Sequence, residues 1–337
     1  MDSITHIALG ALIGDAVAGK ALGKRALIIG AVCQSIPDVD FINAFILSPT
    51  ENLLAHRGLT HSFLFGILIT IFLSWLASRW KRFPAVSIKS WMWFIGTEVL
   101  VHLLLDSLNA YGVGWFEPFS SRRFSFNVIF VADPLYSVWL GIACLGMLMV
   151  YKNHERRRKF VFRGLIVSSL YLCVCLINKT IINKRIETTL KNKGVVWKRY
   201  FATPTAFNNM LWYCVAEKDS SFYIGYSSIW DSSSEISFIQ FDQQRYLIEN
   251  TSDDKEIGNL IQFSNGYFTV ERMEGEALLF NDLRFGRIAG WQNKPTGFSF
   301  HYYLKDPDRN LLVIQRGRYA EWNVPTMKSL AIRIMGE

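Results

Sequence analysis

Histidine and aspartate side chains recur in the first 110 residues of this chain at spacings that suit a metal site. His102 and Asp106 are four residues apart, and a helix would place them on one face, one turn apart. Such a pair can bind one metal ion together, or the carboxylate can orient the imidazole. A hydrogen-bonded pair packed between helices is the structural alternative.

Two further histidines, His56 and His61, lie in the segment His-Arg-Gly-Leu-Thr-His. Residues five apart do not share a helical face, so both can reach one site only if the chain turns between them. Gly58 permits such a turn, because glycine adopts backbone conformations that other residues avoid. A chance pair of surface histidines is the alternative.

Asp38 and Asp40 follow Pro37, and two carboxylates in this arrangement suit a hard or borderline divalent cation. The solvation of a helix end is their alternative role. His6 follows Asp2 by four residues, and Asp2 itself is expected to cap the first helix. Together these segments predict a site with the metal ligands His6, Asp38, Asp40, His56, His61, His102 and Asp106.

Three other polar residues complete the predicted chemistry. Glu98 lies one turn before His102 on the same helical face, where it would act as general base or support a ligand. A buried structural acid is its alternative role. Arg122 and Arg123 follow a Glu-Pro-Phe-Ser segment, and guanidinium groups near a metal suit a phosphate or another anion. For both arginines the alternative is a loop beside lipid headgroups.

The composition limits the classes of protein that could carry these residues. The chain has 337 residues, is half hydrophobic and holds 36 Lys and Arg against 28 Asp and Glu, a net charge of +8. Nucleic-acid-binding proteins are basic but rarely so hydrophobic, and disordered basic tails lack aromatic residues. We therefore expect no nucleic-acid partner. The five cysteines have no paired spacing and are expected to be buried packing residues.

Long apolar runs in the first half predict an α-helical polytopic membrane domain at residues 1–184. A helix of about 20 apolar residues crosses a bilayer. We predict about six spans, of which the first two are short of ideal: Ile4–Ala18, Ala26–Leu47, Ser62–Ser78, Trp91–Asn109, Leu135–Tyr151 and Gly164–Asn178. Gly10 and Gly14, at GxxxG spacing, suit close packing of the first helix against a neighbour.

Basic residues in the loops predict the orientation of these spans. With six spans, thirteen Lys and Arg residues fall in the loops of one side, among them Lys20, Arg79 and Arg156, and five fall on the other. An excess of Lys and Arg marks the cytoplasmic side, so both termini are expected outside the cytoplasm. All seven predicted metal ligands then lie near the extracytoplasmic face.

The second half has a different pattern. Residues 185–200 are expected to form a linker helix, and residues 201–337 a mostly antiparallel β (α+β) soluble domain on the extracytoplasmic side. Short aromatic and β-branched runs predict its strands: Leu211–Glu217, Phe222–Trp230, Leu260–Phe263, Tyr267–Val270, Phe298–Leu304 and Leu330–Met335. Asn265-Gly266 predicts a hairpin turn between the third and fourth runs. His301 is expected to be a packed strand residue.

The motifs of the first half resemble those of a known family. They are an N-terminal His, Pro-Asp-x-Asp, His-Arg-Gly-x-Thr-His-Ser at 56–62, His-x-x-x-Asp at 102–106 and Pro-Phe-Ser at 118–120. Together they are similar to the membrane-bound metal-dependent hydrolases, also labelled LexA-binding, inner-membrane-associated hydrolases (YdjM-like). The likeness covers roughly residues 1–200. It implies a multi-pass protein of the bacterial inner membrane whose hydrolase activity depends on a divalent metal.

The sequence therefore predicts a membrane-embedded metallohydrolase that acts at the extracytoplasmic face on an ester or phosphoester of a lipid or envelope component. Metal-activated water would be the nucleophile, with zinc as the first expected metal and manganese as the alternative. Two other classes stay open. One is a proton- or ion-coupled transporter with a relay through Asp15, Glu98, His102 and Asp106. The other is a non-enzymatic membrane anchor for the β-rich domain.

Overall fold

The fold comes from a computed structural model, which describes residues 1–80, 83, 85–150, 153–251, 255–273, 277–292, 296–304 and 322–336. The chain forms two compact units. The first comprises Met1–Ile46 and Ala55–Cys175, and the second comprises Leu47–Leu54 and Leu176–Glu337. Of the basic loop residues counted above, Lys81, Arg82 and Lys152 lie outside the described residues.

Helices dominate the first unit. They are α1 (Ser3–Leu22), α2 (Arg25–Gln34), α4 (Phe63–Ser78), α5 (Ile88–Ser107), α6 (Pro134–Met149) and the first part of α7 (His154–Asn192). Two 3₁₀ segments, Pro37–Phe45 and Leu59–His61, also belong to the first unit. Between them in sequence is the short helix α3 (Pro49–Ala55), which belongs to the second unit except for Ala55. Asp38, Asp40 and His61 lie on these 3₁₀ segments, His102 and Asp106 lie on α5, and His6 lies on α1.

Side-chain caps fix where two of these helices begin. Asp2 caps α1, because its Oδ1 accepts a hydrogen bond from the Thr5 backbone N–H at 2.9 Å. Asp133 caps α6 in the same way through the Leu135 N–H, with Pro134 at the first helical position. Such caps satisfy N–H groups that have no partner within the helix. The predicted capping role of Asp2 is confirmed.

Glycines allow α1 and α2 to pack closely, as the GxxxG spacing predicts. A Cβ atom added at Gly14 would lie 2.2 Å from the Ala26 carbonyl oxygen, and one added at Gly10 would lie 2.6 Å from that of Gly30. No side chain fits at such distances, so the two backbones are in direct contact. This packing is typical of membrane helices.

The predicted set of six spans is not confirmed. Three described helices are long and apolar enough to cross a bilayer, α1, α5 and the Glu155–Asn192 part of α7. The number rises to five if two pairs of segments, each bent by 53°, count as single spans. The predicted second span is not one continuous helix, because α2 ends at Gln34 and the chain bends before the 3₁₀ segment that begins at Pro37. Helix α6 has 16 residues and reaches about 24 Å, less than the ~30 Å of a hydrocarbon core.

Apolar side chains cover much of the surface of the first unit. Ile28 is 70% exposed, Leu145 is 65% exposed and Trp93 is 77% exposed. A soluble protein rarely exposes so many large apolar residues on neighbouring helices. This surface suits contact with lipid.

The second unit contains two antiparallel sheets. Strands β1 (Arg199–Pro204), β2 (Leu211–Lys218), β3 (Ser221–Ser228) and β4 (Ile239–Asp242) form a meander in that order. Strands β5 (Phe268–Arg272), β6 (Leu278–Asp282) and β7 (His301–Leu304) form the other sheet. The end of α7 packs on the first sheet through Ile182, Ile186 and Leu190. The antiparallel β character predicted for this half is confirmed.

Two predicted strands of the second half are wrong. Leu260–Phe263 belongs to helix α8 (Lys255–Phe263), which buries Ile257, Leu260 and Phe263 on one side. Their spacing of three residues is helical, so Asn265-Gly266 joins a helix to β5 instead of closing a hairpin. Leu330–Met335 falls mainly in helix α9 (Val324–Ile334), whose start is capped by Asn323. His301 lies in β7, as predicted.

Candidate metal centre

Two histidines and two aspartates meet inside the first unit. Asp38 comes from the 3₁₀ segment Pro37–Phe45, His61 ends the segment Leu59–His61, and His102 and Asp106 lie one turn apart on α5. Each offers one ligand atom, and these atoms all lie within 4.8 Å of one another. We call these four residues the ligand group. The side chain of Asp38 is 25% exposed, whereas the other three are fully buried.

Five of the six separations among the ligand atoms are close to those around a tetrahedral metal, and the sixth, between the two carboxylate oxygens, is no more than 4.8 Å. His61 Nε2 lies 3.2 Å from His102 Nε2, 3.5 Å from Asp38 Oδ1 and 3.4 Å from Asp106 Oδ2. His102 Nε2 lies 3.6 Å from Asp38 Oδ1 and 3.5 Å from Asp106 Oδ2. Ligand atoms at zinc-bond lengths in a tetrahedral site are roughly 3.3–3.4 Å apart. These five separations therefore fit one small ion.

Hydrogen bonds on the far side of each imidazole leave Nε2 free to bind a metal. His102 Nδ1 lies 2.5 Å from the backbone oxygen of Gln34. A carbonyl only accepts, so His102 Nδ1 carries the proton and Nε2 presents a lone pair to the group. His61 Nδ1 lies 3.1 Å from the Thr60 hydroxyl oxygen, which donates to Asp40 Oδ2 at 3.3 Å. The same carboxylate oxygen lies 3.4 Å from His61 Nδ1, and these two acceptors favour the same tautomer in His61.

The charge of the site also suits a cation. Asp106 Oδ2 is buried and accepts no hydrogen bond from a described residue, although it lies 3.1 Å from Arg57 Nε. Three carboxylates, of Asp38, Asp40 and Asp106, outnumber the one guanidinium, of Arg57, that lies beside Asp106 in the described part of the site. The Met1 amino group also contacts Asp106, but burial lowers its pKa well below the usual range. Two imidazoles and two carboxylates fit a borderline divalent metal such as zinc.

Asp40 and His56 surround the ligand group instead of joining it. The Asp40 carboxylate accepts a hydrogen bond from the Arg57 backbone N–H at 2.7 Å, and its other oxygen lies 3.2 Å from His56 Nδ1. The chain turns between the two histidines, as predicted, but the positive φ of 59° falls on Arg57 and not on Gly58. Asp40 thus stabilises the turn that positions His61 in the ligand group.

His6 contacts the ligand group from α1. Its Nε2 lies 3.1 Å from Asp106 Oδ1, and its ring stacks on His102 with centroids 3.9 Å apart. His6 is fully buried. Five of the seven predicted metal residues therefore lie at the centre, and the other two, Asp40 and His56, lie next to it.

Glu98 is connected to the centre through Gln34. With its side-chain nitrogen turned toward Glu98, Gln34 donates to Glu98 Oε2 at 2.9 Å. The backbone oxygen of the same Gln34 receives the His102 Nδ1 proton. Glu98 lies in α5 and is fully buried, but it is not a member of the ligand group. Its connection to the centre is through the orientation of His102.

The two arginines predicted to bind an anion have different surroundings. Arg122 is exposed, and its guanidinium lies over the Phe124 ring. Arg123 is buried and donates to the backbone oxygens of His56 and Gly112 at 2.8 and 3.0 Å, so it supports the loop that carries His56. In the same region, burial raises the pKa of the Glu117 carboxyl, against the opposing charges of Arg123 and His61.

Arg57, Gln34 and Asn109 were not predicted as site residues. The Arg57 guanidinium is 3.1 Å from Asp106 Oδ2 and donates to Asn109 Oδ1 at 2.8 Å. Its position within the His-Arg-Gly-x-Thr-His segment was the available signal. Gln34 and Asn109 each follow an apolar run, and their sequence context gives no such indication.

Comparison with known proteins identifies the family. Residues 1–182 match the profile of a family described as YdjM inner membrane protein. The chain belongs to the YdjM family. The inner membrane protein YbcI of Escherichia coli is 34% identical over 167 residues, which are 43% of this chain and 95% of YbcI. YfhP of Bacillus subtilis is 26% identical over 142 residues, 40% of this chain and 42% of YfhP.

Membership of the YdjM family confirms the predicted resemblance and makes the chain an inner membrane protein. The matched region includes the whole ligand group, whereas the two sheets lie beyond it. No solved structure matches the chain. The apolar helices of the first unit agree with a membrane location.

Proposed function

We propose that this protein is a metal-dependent hydrolase of the inner membrane that cleaves an ester or phosphoester of a lipid or envelope component. The observation that carries the proposal is the convergence of four ligand atoms: the two histidine Nε2 atoms lie 3.2 Å apart and 3.4–3.6 Å from the two carboxylate oxygens, and all four lie within 4.8 Å of one another. Asp38, His61, His102 and Asp106 would hold the metal. A divalent metal in such a site activates water as a nucleophile at neutral pH and polarises the bond to be cleaved.

The surrounding residues have positioning roles in this proposal. The Gln34 carbonyl and Asp40 hold the protons of His102 and His61 on Nδ1, which keeps both Nε2 atoms available. Glu98, reached through Gln34, supports His102, and Asp38 is the most accessible acid for a proton from water. Arg57 offsets part of the carboxylate charge, and the exposed Arg122 would attract an anionic substrate.

We further propose that the centre faces the extracytoplasmic side and that the second unit lies on that side too. The distribution of Lys and Arg among the loops supports this orientation. Zinc is the metal proposed first, because two imidazoles and two carboxylates in tetrahedral spacing suit it, and manganese is the second.

A transporter has less support. In a relay, the buried acids would be free to exchange protons along the bundle. Asp15 instead lies 2.6 Å from the Arg157 guanidinium, with both side chains buried, and Glu98 is next to Gln34. Both acids therefore have local partners.

The test uses the full chain purified in detergent, stripped of metal with EDTA and reloaded with zinc or manganese. We expect metal-dependent hydrolysis of bis(p-nitrophenyl) phosphate or of p-nitrophenyl acetate, and loss of both metal and activity in His61→Ala. His301→Ala is the matched control, since this histidine lies in β7 of the second unit. Equal activity of stripped and loaded protein, or unchanged metal content in His61→Ala, would contradict the proposal.

A further inference from the structure

An apolar groove in the first unit leads to the candidate metal centre. Its volume is about 1160 Å³, and helices α1, α2, α4 and α6 contribute side chains to it, among them Ile7, Val32 and Leu145. Asp38 is the one acidic residue among the described residues of its lining. Asp38 also belongs to the ligand group, so the groove is adjacent to the centre at this residue.

Access to the centre depends on the same residue. His61, His102 and Asp106 have no exposed side-chain surface, whereas Asp38 is 25% exposed. A substrate therefore reaches the ligand group past Asp38. A molecule that reaches the ligand group from the groove has its apolar part against α1, α2 and α6 and its polar part at Asp38.

The lining of the groove suits hydrocarbon of considerable length. Pockets for small ligands have volumes on the order of 300–1,000 Å³, and this groove exceeds that range. Its residues Ile28 and Leu145 are largely exposed and, in an inner membrane protein, lie in contact with lipid. An acyl chain gains little hydrophobic free energy on leaving the bilayer for such a groove. The groove would therefore position the chain and not capture it from water.

We propose that this groove holds an acyl chain of a phospholipid substrate and places the adjoining ester or phosphoester at Asp38. The inference rests on the proposed hydrolase function and specifies its substrate class as a membrane lipid. The single acidic side chain in a largely apolar lining is the feature that favours a lipid over a soluble envelope molecule.

Gly141 provides a precise way to block the groove. It lies in α6 among the lining residues, and a Cβ atom added there would meet nothing within 4 Å. A phenylalanine at this position enters open space, and replacing a helical glycine does not weaken the helix. Ile142 is the matched control, because it is adjacent in the same helix, 52% exposed and not part of the groove lining.

The experiment is photo-cross-linking in phosphatidylglycerol vesicles that contain a trace of the same lipid with a diazirine on one acyl chain. The purified full chain is loaded with zinc, reconstituted and irradiated, and labelled peptides are mapped by mass spectrometry. We expect Gly141→Phe to reduce labelling of the groove residues of α1 and α2 by about tenfold, equivalent to ~1.4 kcal/mol. We expect Ile142→Phe to label as wild type does.

A second apolar groove serves as an internal reference. Its volume is about 630 Å³, and none of its described lining residues belongs to the ligand group. Val32, Ile36 and Ile69 line both grooves, so labelling is compared at Leu73, Trp91 and Ile95, which line the second groove and not the first. Labelling of this groove should not change in Gly141→Phe. Unchanged labelling of the first groove in that variant, or an equal decrease in both grooves, would mean that only bulk lipid occupies them and would overturn the proposal.

Zinc content measured on the same samples separates this inference from the proposed function. If zinc content is normal and labelling of the first groove is the same in Gly141→Phe as in the wild type, the lipid-groove proposal is overturned and the metal-centre proposal is not. Absence of zinc from the wild-type protein overturns the hydrolase proposal itself, and the lipid substrate class with it, whatever the labelling pattern. Gly141→Phe with normal zinc content and selective loss of groove labelling supports both.

Discussion

Asp40→Asn should weaken zinc binding without removing a ligand. The Asp40 carboxylate lies 3.4 Å from His61 Nδ1 and accepts the Arg57 N–H at 2.7 Å. The amide has the same shape but no charge, so even with its oxygen in the Oδ2 position it is a weaker acceptor for the His61 Nδ1–H than the carboxylate. Loss of such an outer partner typically reduces metal affinity by about 10–100-fold, or ~1.4–2.7 kcal/mol.

The assay is a competitive titration of the purified chain with a chromophoric zinc chelator. Asp133→Asn is the matched control, because Asp133 is equally buried in the first unit but caps α6 and accepts the Tyr171 hydroxyl at 2.8 Å. We expect wild-type zinc affinity in this control. If Asp40→Asn binds zinc as tightly as the control does, the orienting role of Asp40 is refuted.

Three further predictions concern packing and topology. Gly14→Ala should lower the free energy of unfolding by about 1–3 kcal/mol, because the new Cβ would lie 2.2 Å from the Ala26 oxygen. The measurement is the melting temperature in detergent, which should fall in Gly14→Ala and stay at the wild-type value in Gly141→Ala. Arg157→Met should destabilise the chain by about 3–5 kcal/mol by leaving the Asp15 charge buried, and adding Asp15→Leu should recover part of that loss, as measured by denaturant titration. Alkaline phosphatase fused to the C-terminus should be active; an inactive fusion would place that end in the cytoplasm.

The candidate site was predictable from the sequence because its residues recur at informative spacings. His102 and Asp106 are on one helical face, and a positive backbone angle next to Gly58 turns the chain between His56 and His61. The sequence does not predict which residues belong to the ligand group and which, like Asp40 and His56, lie next to it. Asp40 faces His56 with one oxygen and His61 with the other. This arrangement depends on the 3₁₀ segment Pro37–Phe45, which the sequence does not indicate.

The fold was predictable in outline but not in its details. Hydrophobicity identifies the apolar segments, yet it does not report that α2 ends at Gln34 or that the chain then bends by 53°. In the second half, short apolar runs fit a strand and a helix equally well. Leu260–Phe263 became helical because Ile257, outside the predicted run, completes a buried helical face.

The central claim is that Asp38, His61, His102 and Asp106 hold one metal ion. An anomalous difference map at the zinc absorption edge, from crystals of the zinc-loaded chain, tests it most directly. We predict one strong peak between the four residues, about 2.0–2.2 Å from the two Nε2 atoms and the two carboxylate oxygens. A map with no peak there, or with its strongest peak bound to other residues, would contradict the account.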